Sequence, residues 1–335
     1  MAVKVGERTV AFQNDISIET FASAVGPKER QGPLSQYFDL SFQDEFLGED
    51  SFEKAESALQ KAAVKKALEK AGLNPQDIDV IYAGDLLNQC IGSAYGLRSL
   101  DIPFIGLYGA CSTMALSILN AAVAIESGVA EKAAAVTSSH FCSSERQFRF
   151  PLEYGGQRTP TAQWTVTGSG AAILGKNGGN LKVKQITVGK IVDYEITDMN
   201  NMGAAMAPAA ADTILSFLKD TNTSPSDYDL ILTGDLGFLG SELLVQLIKK
   251  EGISLENHND CGMLIFDRES QDVHSGGSGC GCAASVLCSY IFKKMQKGEL
   301  KNILFCATGA LMSPTSSMQG ESIPSIAHLV NIKAE

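Results

Sequence analysis

The chain has 335 residues, of which 44% are hydrophobic and 19% charged, and its formal net charge is −11. That length and apolar content suit two packed α/β halves or one large duplicated domain with a sizeable core. The acidic balance argues against nucleic acid or an anionic lipid surface as a bulk partner.

The first residues carry no charged stretch followed by an apolar core, so no secretory leader is expected. No apolar run reaches the roughly 20 residues that span a bilayer. The eight cysteines are scattered. Cys90, Cys142, Cys261, Cys288 and Cys306 read as small buried hydrophobes of a reducing compartment. No Cys-x-x-Cys pairs occur, and no metal site is expected.

In chain order, residues 51–72 are helix-like, and an Asn74-Pro75 loop leads into an apolar strand that ends Gly84-Asp85-Leu86. Residues 102–108 read as a buried strand. Gly109-Ala110-Cys111-Ser112-Thr113 follows at once, then a helix of small apolar residues over 114–125 that stops at Gly128. A cysteine at such a turn sits on a helix N-terminus, where free N–H groups and the dipole favour a thiolate. The same geometry floors an anion pocket. Residues 133–137 are the next apolar strand.

The segment 140–164 then gathers His140, Arg146, Gln147, Phe148, Arg149, Phe150, Tyr154, Arg158 and Trp164, a local positive and aromatic patch in an acidic chain. Its arginines either face a ligand or pair with Glu145, Glu153 or a second subunit. Its aromatics are equally suited to a core or an interface.

The order then repeats. A helix-like segment 207–221, a Ser224-Pro225 loop and a strand ending Gly234-Asp235-Leu236 match the first half, with Asp85 and Asp235 150 positions apart. A helix over 281–291, a stop at Gly298 and a strand over 303–307 match the Cys111 unit. The pattern predicts two α/β halves, 1–180 and 181–335, related by a pseudo-twofold axis. Near-continuous apolar strands imply sheets covered on both faces, with the turns after the strands meeting at one pocket. Asp85 and Asn88 are expected to face that pocket. Asp85 would either hold a cation or cap the following helix, and Asp235 shares both readings by symmetry.

A cysteine on a buried central helix in this arrangement resembles the thiolase and ketoacyl synthase superfamily, and Thr167-Gly-Ser-Gly-Ala-Ala-Ile-Leu174 resembles a glycine-rich stretch of its type III synthases. Longer runs point to one branch. They are Ala24-Val-Gly-Pro-Lys-Glu29, Gly84-Asp-Leu-Leu-Asn-Gln89, Gly109-Ala-Cys-Ser-Thr113 and Glu145-Arg-Gln-Phe-Arg149. To these add Glu153-Tyr-Gly-Gly-Gln157 with Trp164, Ala207-Pro-Ala-Ala-Ala-Asp212 and Gly276-Gly-Ser-Gly-Cys-Gly-Cys282. Over nearly the whole chain they resemble the stage V sporulation protein AD family of spore-forming Firmicutes.

The resemblance implies a duplicated, five-layer αβαβα thiolase-like fold and a homodimer. It also implies binding of dipicolinic acid (pyridine-2,6-dicarboxylate) for uptake into the developing spore, with a role in release at germination. Its partners would be membrane-embedded channel proteins of the same operon, placing the protein peripherally on the spore inner membrane, and no nucleic acid. No cofactor is implied, although calcium would arrive as part of the ligand. The site expected from this is Asp85, Asn88, Cys111, His140, Arg146, Arg149, Trp164, Asp235 and Cys280, with Arg149 placed ahead of Arg146.

The residues also bear on catalysis. A Claisen-type enzyme needs donors at its oxyanion and enolate, a His with an Asn or a second His. The turn that resembles the synthase His position holds Asp235, an acceptor when ionised, and the stretch that resembles the Asn motif holds Cys280. His274 is a thiolase-like alternative, but the Ser-Gly-Gly-Ser-Gly that follows matches that loop poorly. Cys111 is then an inherited small residue at a tight elbow, and the function expected is ligand binding without catalysis. The alternative is an acyltransferase or condensing enzyme with Cys111 as nucleophile.

Overall fold

A computed structural model of the chain describes residues 2–148, 158–176 and 178–335. A hairpin of β1 (Val3–Lys4) and β2 (Thr9–Ala11) leads into β3 (Ile16–Val25), flanked by the short β4 (Leu40–Ser41). Helix α1 (Phe52–Ala71) starts at Ser51, whose side chain accepts from the Lys54 N–H, and stops at Gly72 in the left-handed region (φ 66°). There follow β5 (Val80–Gly84), α2 (Ile91–Leu97), β6 (Phe104–Gly106), α3 (Thr113–Ser127) and β7 (Lys132–Ser139). Helix α4 (Phe141–Phe148), β8 (Trp164–Thr165) and β9 (Gly168–Lys176) complete the first half.

The second half runs β10 (Leu181–Thr187), α5 (Met202–Thr221), β11 (Leu230–Thr233), α6 (Gly237–Lys250), β12 (His258–Asp260) and α7 (Cys261–Leu264). It ends with β13 (Gly277–Ser278), α8 (Cys280–Val286), α9 (Phe292–Gln296), β14 (Asn302–Ala310), α10 (Pro314–Met318) and β15 (Ser325–Ala334).

The main sheet has the order β12-β11-β14-β15-β10-β3-β9-β7-β5-β6, so the two halves repeat one five-strand order on either side of the β3–β10 pair. Helices α1 and α5 each have 20 residues and begin 150 positions apart. Each is followed by a proline-led 3-10 turn closed by a capping box, Asn74 with Asp77 and Ser224 with Asp227. Helix α3 packs on β5 and β7 of its own half and on β14 and β15 of the other, while α8 packs on β3, β7 and β9. Helix α1 covers β3, β7 and β9 from outside, and α5 covers β14 and β15. This makes a five-layered thiolase-like α/β fold with two related halves.

Helix α3 is buried because both layers need it: Met114, Ile118 and Ile125 are 0% exposed, each contributing on the order of 1.5–3 kcal/mol of hydrophobic stabilisation. Within α3 and the turn before it, Ala110–Ser127 is the one described stretch long and apolar enough to cross a membrane, and 78% of it is buried inside the fold.

Three expectations from sequence need correction. The strand read over 102–108 shortens to β6 and is exposed, because it is the last strand of the sheet and has no neighbour on its outer side. The helix read over 281–291 opens into a π-turn over Leu287–Ile291 before α9. Cys142 is half-buried rather than buried.

Candidate functional site

The Cys111 elbow is tied down by its own side chains. The Ser112 hydroxyl donates to the Gly109 carbonyl at 2.6 Å, and the Thr113 hydroxyl donates to the Ala110 carbonyl at 2.6 Å. Ala110 is held at φ 49°, a left-handed conformation that L side chains rarely adopt. The turn thereby presents Cys111 to a cavity of about 590 Å³, counting its open mouth. Side chains crowd it from all sides, which leaves a narrow slot.

Leu86, Tyr108, Ala110 and Cys111 line the cavity from the first half's turns, and Ser144, Glu145 and Phe148 line it from one face of α4. Gln163 and Thr165 close one side with Ser278, and Met199, Asn200, Met202, Ala310 and Met312 close the other. Among the described residues, no Lys, Arg or His lines it.

Behind Cys111 stands Asp235, fully buried. Its carboxylate accepts from the Gly279 N–H at 2.8 Å, the Thr308 hydroxyl at 3.1 Å and the Ser278 hydroxyl at 3.2 Å. Its charge also acts on the Cys111 thiol. Burial pushes the Cys111 thiol well above its ordinary value, and the Asp235 charge and the Cys280 thiol push it further. Burial likewise raises the Asp235 carboxyl. Cys280 packs against Cys111 and Leu86, but its thiol donates to the Ser138 carbonyl at 3.0 Å. The Tyr108 hydroxyl is pushed up to about 12, mainly by burial, and so stays neutral.

Asp235 faces the thiol because another residue holds its turn. The Asp260 carboxylate accepts from the Leu236 N–H at 2.8 Å and the Gly237 N–H at 2.9 Å, and so caps the start of α6. The Gly234 that precedes Asp235 lies against Ala307, where an added Cβ would sit 3.1 Å from the Ala307 Cα.

The other expected site residues lie elsewhere. Asp85 is fully buried but does not line the cavity; it accepts from the Leu87 N–H at 2.9 Å and from the Ser93 N–H and hydroxyl at 2.7 and 2.6 Å. It thus caps the chain entering α2. Asn88 is exposed, its N–H donates to Gln147 Oε1 at 3.0 Å, and with Arg146 it lines a separate shallow depression. Arg146 pairs with Glu53. Ser144, Glu145 and Phe148 share the cavity face of α4, and a residue two positions from Ser144 points the other way.

His140 is fully buried, with Nε2 at 2.8 Å from the Glu45 carbonyl and Nδ1 accepting from the Cys142 N–H at 3.2 Å. Trp164 stacks on Phe141 at 3.9 Å beneath Lys28 and Arg158, because strand alternation turns it away from the face that Gln163 and Thr165 present. Arg158 pairs with Asp272 at 2.7 Å. His274 is bound to Asp272 and to the Thr159 carbonyl. Arg149, Phe150 and Tyr154 lie outside the described residues.

The sequence reading thus brings together Cys111, Asp235 and Cys280. It missed Ser144, Gln163, Thr165 and Ser278, whose only signal in sequence was their place next to residues it did name.

Comparison with known proteins agrees with this geometry. Among solved structures, a variant of OleA from Xanthomonas campestris superposes with a TM-score of 0.62 at 14% identity, covering 96% of this chain and 99% of its own. The 3-oxoacyl-[acyl-carrier-protein] synthase III of Aquifex aeolicus superposes at 0.57 with 12% identity, covering 95% of this chain and 99% of its own. At those identities the likeness is one of fold. The Stage V sporulation protein AD of Bacillus subtilis (strain 168) is 46% identical over 324 residues, 96% of each chain. Residues 6–333 match the family described as Stage V sporulation protein AD. The chain therefore belongs to the stage V sporulation protein AD family.

Proposed function

We propose that the protein serves sporulation as a binding component for dipicolinic acid, free or as its calcium chelate, and carries out no acyl chemistry. In this reading it works as a homodimer on the aqueous face of the spore inner membrane, handing ligand to membrane-embedded channel proteins. Family membership supports the sporulation role.

The observation that carries the non-catalytic reading is the Cys111–Asp235 pair. An acyl-transferring thiol has to lose its proton, yet here it is buried beside the Asp235 carboxylate, and both burial and that charge oppose ionisation. The Cys280 thiol, in the stretch that resembles the catalytic Asn motif, donates to a backbone carbonyl instead. What remains is a narrow slot with Tyr108, Phe148 and several methionines in its walls, suited to a small flat molecule. For the homodimer, the outer edge of β6 offers Phe104 and Ile105, both exposed.

Isothermal titration with dipicolinate, with and without calcium, tests this on wild type, Cys111→Ala and Arg149→Ala. Saturable binding that survives loss of the thiol and fails without Arg149 is expected. Absence of binding by wild type in both conditions sinks the reading. The second reading, acyl transfer, is favoured by one observation: Cys111 lines the cavity on a strained elbow. It requires saturable acylation of Cys111 by thioesters.

A further inference from the structure

Two buried polar atoms in the cavity wall have no hydrogen-bond partner, Gln163 Oε1 and Ser144 Oγ. Both residues are at least nine-tenths buried, at 5% and 3% exposure. Buried polar groups are almost always satisfied in folded proteins, so an orphaned pair beside one cavity implies something that completes them.

The orientation of the Gln163 amide is set by its neighbours. Its Nε2 donates to the Asp235 carbonyl at 2.7 Å and to the Gly277 carbonyl at 2.9 Å. Both amide hydrogens are thereby used, and a flipped amide would set its oxygen against two carbonyl oxygens. Oε1 is left as a pure acceptor. The Ser144 hydroxyl has no such constraint and can donate.

A ligand that meets Oε1 therefore has to bring a hydrogen-bond donor, which a fully ionised pyridine dicarboxylate lacks.

We propose that Gln163 is the selecting residue of this cavity: its Oε1 accepts a hydrogen bond from a donor on the ligand, so that a pyridine dicarboxylic acid binds with one proton on it. The Ser144 hydroxyl donates to the carboxylate that remains ionised. This rests on the dipicolinate reading above and adds the protonation state. The proton comes from solvent on binding and sits on a ligand carboxyl.

The test is calorimetric titration of the full chain near neutral pH, in two buffers of different ionisation heat, with pyridine-2,6-dicarboxylate, its monoamide and its monomethyl ester. The amide and ester carry the same charge, but only the amide brings an N–H donor. Uptake of about one proton is expected with the diacid and none with the amide, which should bind roughly tenfold or more tighter than the ester. Gln163→Met should bring amide and ester level, whereas Ser144→Ala should weaken all three and leave their ratio intact. If Gln163→Met does not fold, the wild-type ligand series decides by itself.

Uptake with the diacid alone places the proton on a carboxyl; uptake with the amide as well would mean that its N–H does not stand in for that proton, and the role given to Gln163 would be wrong. If amide and ester bind wild type equally, the role given to Gln163 is wrong while dipicolinate binding stands. If none of the three binds wild type, the dipicolinate reading falls and this inference with it.

Discussion

Two turns with the same Gly-Asp-Leu sequence do different work in this molecule. Asp85 spends its carboxylate on its own half, capping the chain that enters α2. Asp235 reaches across to Gly279, Thr308 and the Cys111 thiol. The difference lies in what surrounds them. In the second half Asp260 caps α6, which leaves Asp235 unoccupied by that task. In the first half β6 pairs with β5 as β12 pairs with β11, but Gly106 stands where Asp260 does and has no side chain to take over the capping from Asp85.

The outer helices differ as well. Glu56 on α1 is buried beside Asp85, bonded to the Ser138 and Ser143 hydroxyls, while the equivalent position of α5 is the buried Met206. A repeated motif thus fixes where a carboxylate sits, and its non-repeated neighbours decide what that carboxylate does.

The largest effect should come from removing the residue that frees Asp235. Asp260→Ala strips the Thr233 hydroxyl and the Leu236, Gly237 and Gly262 N–H groups of their buried acceptor. A loss of about 3 kcal/mol or more is expected in denaturant unfolding. A loss near zero would show that Asp235 holds its turn unaided.

Glu56 comes next. Burial, with the Asp85 charge second, raises its carboxyl to about 8, so it stays protonated in the fold at neutral pH. Because the folded value is raised, its contribution is complete below the unfolded value and is lost as pH climbs through about 8. Glu56→Gln should match wild type near pH 4.5 and exceed it by on the order of 3 kcal/mol at pH 8.5. Parallel stability curves for the two proteins would contradict this.

Asp235→Asn removes the charge that opposes the Cys111 thiolate and should speed alkylation of Cys111 by iodoacetamide about tenfold. Asp85→Asn should leave that rate unchanged. Equal rates in the two variants would erase the contrast between the turns. The smallest effect is expected at Arg146, whose pair with Glu53 is exposed. Arg146→Ala should cost about 0.5 kcal/mol or less and leave ligand affinity unchanged.

Much of this was legible in the chain itself. The helix–strand order, the 150-residue offset between Asp85 and Asp235, Ser51 and Gly72 as helix ends, and Cys111 at its elbow all follow from local rules of propensity, capping and period. The patch 140–164 was legible as a cluster but not as a site. Helix rotation sends Ser144 and Phe148 one way and Arg146 the other, and strand alternation separates Trp164 from Gln163 and Thr165.

By itself, then, the sequence determined the duplicated α/β framework, the family, and the residues that stand where catalytic groups would be, because these depend on short-range periodicity and on motifs read along the chain. Only the tertiary structure decided that Asp235 rather than Asp85 meets the thiol, and that Gln163 turns an unpaired oxygen toward the cavity. Those outcomes depend on hydrogen bonds between segments more than 70 residues apart, such as Gln163 with Asp235 and Thr308 with Asp235, and no local pattern encodes them.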